Sequence, residues 1–240
     1  MGEQLFISDL HLSTERPATV DRFLDFLDGR ARNAASLYIL GDLFDAWIGD
    51  DDDSTLAHRV RAGLGALTGG GVAVFVQHGN RDFLIGGRFC AATGTELLGE
   101  TAVVEVAGQA SLLMHGDLLC TDDTDYLQAR AMLRNPAFVA DFLARPLAER
   151  AALAAEYRRR SGEATSLKAD DIMDVSAGAV AAALREHGVQ RLIHGHTHRQ
   201  GVHRFDLEGT EAERVVLGEW HGDHGSVLVD SGTDLAFETT

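Results

Sequence analysis

The sequence predicts an α/β protein with a mainly parallel sheet covered by helices. Three observations predict it: short β-rich runs alternate with helical patterns, glycine breakers separate them, and one long stretch loses strand signals altogether. The first run, Gln4 to Ile7, leads into Val20, Phe23, Leu24 and Leu27 at helical spacing. Leu37 to Leu40 reads as the second strand, followed by Leu56, Val60, Leu64 and Leu67 as a helical face. Val72 to Val76 follows the breaker Gly69-Gly70-Gly71. Ala102 to Val106 and Ser111 to Met114, separated by Ala107-Gly108-Gln109, read as a hairpin or tight strand pair. Arg191 to Ile193, Arg214 to Leu217 and Ser226 to Val229 are the later strands. Between Asp122 and Asp170 the composition turns to Ala, Leu and Arg with few β-branched residues, which predicts a helical insertion over 122–170 inside one domain spanning 1–240.

Composition removes several classes of function. With 45% hydrophobic residues in 240, the chain can bury a sizeable core, so neither disorder nor a fibrous class fits. Cys90 and Cys120 are isolated, which argues against a disulfide framework or a thiolate zinc site and for two reduced thiols. No basic leader or cleavage pattern precedes the first strand, and no apolar run approaches the roughly 20 residues of a membrane span, so a cytoplasmic location is expected. Lys and Arg number 21 against 37 Asp and Glu, a formal charge of −16, which excludes nucleic-acid binding through a general basic surface. The insertion is the local exception, because from Tyr126 to Lys168 eight basic residues stand against four acidic ones.

Five short motifs each fall just past a predicted strand: Asp9-Leu10-His11, Gly41-Asp42, Gly79-Asn80-Arg81-Asp82, His115-Gly116-Asp117 and Gly195-His196-Thr197-His198. In open α/β sheets that edge is where ligands bind. Imidazole and carboxylate suit a hard-to-borderline dication, and the spacing of two in Asp9/His11 and His196/His198 sends each pair to one side if strand geometry persists. Asp42, central and with two oxygens, can bridge two cations about 3.5–4 Å apart. One such motif alone is commonplace; five at one sheet edge would be a costly accumulation of buried charge without a cation. His58, His78, His187, His203, His221 and His224 lack such company and are expected to be surface or structural.

This ordered set resembles the calcineurin-like metallophosphoesterases, whose fold is a β-sandwich flanked by helices. Within them it resembles the branch that splits UDP-2,3-diacylglucosamine into UMP and 2,3-diacylglucosamine 1-phosphate in bacterial lipid A synthesis. The Leu5 to Leu12 opening, the run from Gly41 to Asp50, arginine rather than histidine after Asn80, and an insertion ending in Ile172-Met173-Asp174-Val175 carry that narrower likeness. The resemblance implies two divalent ions, manganese for preference. One would be held by Asp9, His11, Asp42 and His198, the other by Asp42, Asn80, His115 and His196. It implies Asp42, Asn80, Arg81 and His115 as catalytic residues and Asn80, Arg81, Asp123, Ser161, Thr165, Lys168 and His196 as substrate contacts; relatives carry asparagine where this chain has Thr165. It further implies attack of metal-activated water on the α-phosphorus, a peripheral place on the cytoplasmic face of the inner membrane, and no obligate protein partner. Leu127, Met132, Leu133, Phe138, Phe142 and Leu143 would give this lid its apolar surface, and Arg158, Arg159, Arg160 and Lys168 its charge. Two rivals stay open: a general phosphodiesterase acting on nucleotides, and a non-catalytic scaffold of the same fold.

Overall fold

The computed structural model describes residues 2–166 and 174–240, the side chains of 161–166 excepted. Eleven strands form two sheets among the described residues. The first has the order β11 (Leu235–Thr239), β10 (Ser226–Asp230), β1 (Gln4–Ile7), β2 (Ser36–Leu40), β3 (Ala73–Gln77) and β4 (Glu96–Leu97). The second runs β5 (Ala102–Val106), β6 (Gln109–Leu113), β7 (Arg191–His194), β9 (Thr210–Val216) and β8 (Gly201–Leu207). β1 to β4 are mutually parallel, as are β6, β7 and β9, while β5, β8, β10 and β11 pair antiparallel. The sheets are therefore mixed, and there are two of them where strand alternation alone predicts one mainly parallel sheet. The β-sandwich implied by the family resemblance is the architecture found.

The two-residue period of a strand explains the layers. In β1, Phe6 faces the sandwich interior with Tyr38, Leu40, Leu113, Ile193, Val215 and Leu228. Its neighbours Leu5 and Ile7 face outward onto α1 (Pro17–Asp28) and α2 (Thr55–Gly69), packing with Val20, Phe23, Val60 and Leu64. Parallel register sets Phe6 beside Tyr38 and Tyr38 beside Phe75, and the rings stack at 4.8 Å in both pairs. Full burial of a side chain such as Phe23 contributes roughly 1.5–3 kcal/mol. The second sheet's outer face packs Leu112 and Leu192 against Val180 and Leu184 of α7 (Ala177–His187). Pro17 at the start of α1 and the Ser54 side chain accepting the Ala57 N–H of α2 mark where those helices begin.

α3 (Gly87–Thr93), α7, β4, β8 and β11 have no counterpart in the sequence reading. β8 and β11 are edge strands whose apolar alternation is short, Phe205 with Leu207 and Leu235 with Phe237, set among exposed polar and charged residues. Between 122 and 166 the described residues form three helices, α4 (Thr124–Leu133), α5 (Pro136–Leu143) and α6 (Leu147–Ser166), and residues 167–170 of the expected insertion lie outside the described residues. No described helix is long and apolar enough to cross a membrane.

Candidate metal centre and adjoining chamber

The five motifs come from two sheets rather than one edge. The first three follow β1, β2 and β3, and the last two follow β6 and β7, so the ends of both sheets meet over the same point. Backbone bonds hold the loops in register: Asp9 N–H to Gly41 O at 3.2 Å, His11 N–H to Asp42 O at 3.0 Å and Gly195 N–H to His115 O at 2.9 Å. Asp82, fully buried, accepts the Leu43 N–H at 2.7 Å and the Gly79 N–H at 2.8 Å, tying the second loop to the third.

Asp9, His11, Asp42, His196 and His198 all have positive φ, between 48° and 69°. Side-chain-bearing residues rarely adopt this region, and it persists only where the surroundings enforce it. The other two such residues, Ala107 and Glu208, precede Gly108 and Gly209, also at positive φ, in the hairpins β5–β6 and β8–β9. Strand geometry does not continue through Asp9-Leu10-His11, so the premise of the spacing-of-two argument fails, and Asp9 and His11 converge through left-handed backbone instead. Two glycines allow the close approach: a Cβ at Gly79 would lie 2.0 Å from Asp42 Oδ1, and one at Gly41 would lie 2.5 Å from His115 Nδ1.

Two groups of ligand atoms converge, Asp9, His11 and His198 on one side and Asp9, Asp42 and His115 on the other. His11 Nε2 and His198 Nε2 face each other at 3.2 Å, with Asp9 Oδ1 3.3 Å from the latter. Asp42 Oδ2 lies 3.8 Å from both His11 Nδ1 and His115 Nε2, between the two halves. Asn80 Oδ1 is 2.9 Å from His115 Nε2 and 3.1 Å from His196 Nδ1. Asp9 Oδ1 and His11 Nδ1 are buried and have no well-directed hydrogen-bond partner. Orphaned donors and acceptors of this kind are costly unless a cation satisfies them, so the donor set fits divalent metal ions.

The electrostatics divide the candidate ligands. Burial, together with the carboxylates of Asp82 and Asp9 and against the pull of His115, pushes Asp42 up to about 7. Burial holds His11 down at about 3 and His196 at about 4, leaving both imidazoles neutral. Burial also acts to lower His198, but Asp9 and Glu219 on either side override it and push it up to about 10.

Beside this cluster opens a cavity of about 400 Å³. Asn80 and Arg81 line it on the cluster side, and Phe138, Val139, Phe142, Leu133 and Trp47 supply apolar wall. Arg81 Nε lies 3.9 Å from Asp42 Oδ2, and its Nη1 lies 3.5 Å from Asp45 Oδ1. Arg158 of α6 pairs with the other oxygen of Asp45. α4 is tied to the cluster, since Tyr126 Oη and Arg130 Nε both donate to Asp117 Oδ2, at 2.6 and 2.7 Å, and Arg134 donates to Gly79 O at 2.8 Å. α6 is anchored by buried Arg150, which donates to Ile48 O at 2.6 Å and Asp51 Oδ1 at 2.8 Å.

The structure thus gathers Asp9, His11, Asp42, Asn80, His115, His196 and His198 as expected, and sets Arg81 and Asp123 on the chamber wall. Asp123 also caps α4 by accepting the Tyr126 N–H. Lys168 lies outside the described residues, as do the side chains of Ser161 and Thr165. Of the six apolar residues expected to form lid surface, Leu133, Phe138 and Phe142 line the chamber, whereas Leu127 is half-buried outside that lining and Met132 and Leu143 are exposed elsewhere. Of the basic lid residues, Arg158 and Arg160 line the chamber, and Arg159 and Arg160 both pair with Glu156. Sequence reasoning missed Asp45, Asp117, Tyr126, buried His194 and Glu219; Asp117 alone stood inside a motif. His78 is structural as expected, its Nε2 2.7 Å from Ile85 O, but His221 contacts Glu219 and so lies one step from the cluster.

A carboxylate, imidazole and amide cluster at the meeting ends of two sheets of a helix-flanked sandwich defines a phosphoesterase of the calcineurin-like class, and the chain belongs to that family, whose model matches residues 4–200. Its curated relatives carry a more particular name, UDP-2,3-diacylglucosamine hydrolase. One from Enterobacter sp. (strain 638) is 52% identical over 96% of this chain and 97% of that protein. Another from Cellvibrio japonicus (strain Ueda107) is 49% identical over 97% and 96% respectively. A third, from Escherichia coli O6:K15:H31 (strain 536 / UPEC), is 51% identical over 94% of each.

Proposed function

We propose that this chain hydrolyses the diphosphate of UDP-2,3-diacylglucosamine, releasing UMP and 2,3-diacylglucosamine 1-phosphate. The observation that carries the reading is the junction of the ligand cluster with the apolar 400 Å³ chamber through Asn80 and Arg81, in a chain about half identical to hydrolases of that name. A general nucleotide phosphodiesterase would share the cluster and leave the chamber without a use. Asp9, His11, Asp42 and His198 would hold one divalent ion, and Asp42, Asn80, His115 and His196 the other, manganese being the preferred metal. When bound, the ions supply a nucleophile from water at neutral pH and neutralise phosphoryl oxygens. Asp42 would be the shared ligand, a reading its Oδ2 supports by lying 3.8 Å from both His11 Nδ1 and His115 Nε2, while Asp9 is the residue common to both groups of converging ligand atoms. Arg81, on the chamber side, would take the remaining phosphoryl charge through its delocalised guanidinium and is not cast as the general acid. The lid formed by 122–170 would shield the acyl chains, and contact with the cytoplasmic face of the inner membrane would deliver them; no nucleic acid and no obligate protein partner is involved.

The decisive experiment uses synthetic UDP-2,3-diacylglucosamine in ¹⁸O-labelled water with mass analysis of both products. Water attacks the α-phosphorus, the bond to the bridging oxygen breaks, and the label is expected in UMP. Label in the lipid phosphate, or no turnover with manganese present, would overturn the reading.

Arg81→Lys is expected to lower turnover roughly 10- to 100-fold although charge is kept, since an ammonium cannot span two phosphate oxygens as the planar guanidinium does. Near-normal kcat and KM would make Arg81 a structural residue of the Asp45 pair.

Metal affinity should depend on pH. At pH 7 the protein alone holds a proton on His198 and a fraction of one on Asp42, with values of about 10 and about 7. A cation must displace them, whereas His11 and His196, at about 3 and about 4, are already neutral. Affinity therefore rises with pH, by about tenfold per unit for each proton displaced, and manganese addition releases protons. Calorimetric titration in buffers of different ionisation enthalpy measures this; a constant Kd from pH 6 to 8 would contradict it.

A further inference from the structure

We propose that Glu219 is a positioning residue of the cation cluster: its carboxylate accepts the Nδ1 proton of His198 and thereby presents Nε2 as the ligand atom beside Asp9 and His11. The inference rests on the two-ion reading above and adds to it a residue outside all five motifs.

Glu219 lies in the loop between β9 and β10, and its position is imposed from its neighbour. Trp220 is fully buried, its edge set against Phe23 and Phe26 and its indole N–H donating to Ser226 O at 3.0 Å. The Trp220 backbone N–H donates to Asp9 O at 3.2 Å, so the loop is pinned to the first motif itself. Arg16 adds a bond of 2.6 Å to Trp220 O. Glu219 then has both oxygens committed: Oε2 lies 3.1 Å from His198 Nδ1, and Oε1 lies 3.1 Å from His221 Nε2. Arg16 stands behind His221 at 3.2 Å from its Nδ1.

The consequence is which nitrogen is free to ligate. A carboxylate can only accept, so Glu219 keeps the hydrogen on Nδ1, and the proton a cation would displace is the one on Nε2, which faces Asp9 Oδ1 and His11 Nε2 at 3.3 and 3.2 Å. His198 needs this support more than its fellow ligands do, because its side chain is 32% exposed against 9% for His11 and 2% for His115. A carboxylate behind a ligating histidine both orients the ring and raises its basicity, and its loss weakens metal binding by roughly 10- to 100-fold.

The test titrates Mn²⁺ into chelator-treated wild type, Glu219→Ala, Glu219→Gln and His221→Ala, and records the melting temperature of each in chelator. Wild type is expected to take up two ions. Glu219→Ala is expected to bind one of them roughly 10- to 100-fold more weakly and the other as wild type does, with its melting temperature in chelator unchanged. Glu219→Gln, whose amide oxygen still accepts the Nδ1 hydrogen, should recover most of the loss. If Glu219→Ala does not fold, His221→Ala decides, with a few-fold weakening confined to the same ion. Wild-type affinity in Glu219→Ala, or equal weakening of both ions with a lower melting temperature in chelator, would overturn the proposal. Wild type that takes up fewer than two ions would overturn the two-ion reading instead.

Discussion

Replacing Asp42 is expected to remove turnover, by roughly 10²- to 10³-fold or more, because both halves of the cluster depend on it. Its Oδ2 stands 3.8 Å from a nitrogen of His11 and of His115, and its Oδ1 accepts the Arg81 N–H at 2.9 Å. Alanine is the obvious substitution, but residue 42 sits at φ 51°, where alanine is strained. Asp42→Asn is the cleaner variant, since asparagine tolerates this conformation and keeps the acceptor for Arg81. Neither side chain supplies the negative charge two dications need. Stability in chelator should move the other way. The carboxyl of Asp42 has a folded value raised from 3.8 to about 7, so its cost to stability grows as pH rises between those values and is full above about 7, and a neutral amide carries no such cost. Asp42→Asn in chelator is therefore expected to melt at or above wild type at pH 8. Turnover above a few per cent of wild type in a folded variant would sink the two-ion assignment.

Val139→Glu is expected to remove hydrolysis of the diacylated UDP-sugar while sparing a small activated phosphodiester. Val139 lines the chamber on α5 with Phe138 and Phe142, and a carboxylate there must be desolvated wherever an acyl chain lies. The cost of several kcal/mol corresponds to a loss of affinity of about 10² or more. Phe138→Ala is the graded companion, at about 0.8 kcal/mol for each acyl methylene left unburied. Deleting the proposed lid from Tyr126 onward is a poorer test, because Tyr126, Arg130 and Arg134 brace Asp117 and Gly79 and their removal would disturb the cluster directly. Equal loss on both substrates by Val139→Glu would mean a collapsed centre, and equal retention would mean that the chamber does not hold the lipid.

The residues that converge in the candidate centre were legible because chemistry restricts them. Few residue types bind a hard-to-borderline dication, and five short runs of them after strands leave little choice. The core strands were legible for a similar reason: β1, β2, β3, β7 and β10 carry apolar side chains, and the sequence reading meets them within a residue or two. β8 and β11 were not, since each edge strand shows only one alternating apolar pair, Phe205 with Leu207 and Leu235 with Phe237, too short a pattern to separate it from a loop.

Sequence alone determined which side chains are available, their order, and the apolar and basic character of 122–170, because these are properties of single residues and short windows. Tertiary structure alone decided where they meet. The convergence of motifs from two sheets, the positive φ of Asp9, His11, Asp42, His196 and His198, and the approach of Gly79 to Asp42 all arise from packing the two sheets so that their ends meet. Glu219 shows the difference most directly. It lies 21 residues from His198 in the chain, with no motif to mark it, and buried Trp220 beside it is what sets its carboxylate 3.1 Å from the imidazole. Long-range placement of that kind depends on the whole core, and no local pattern encodes it.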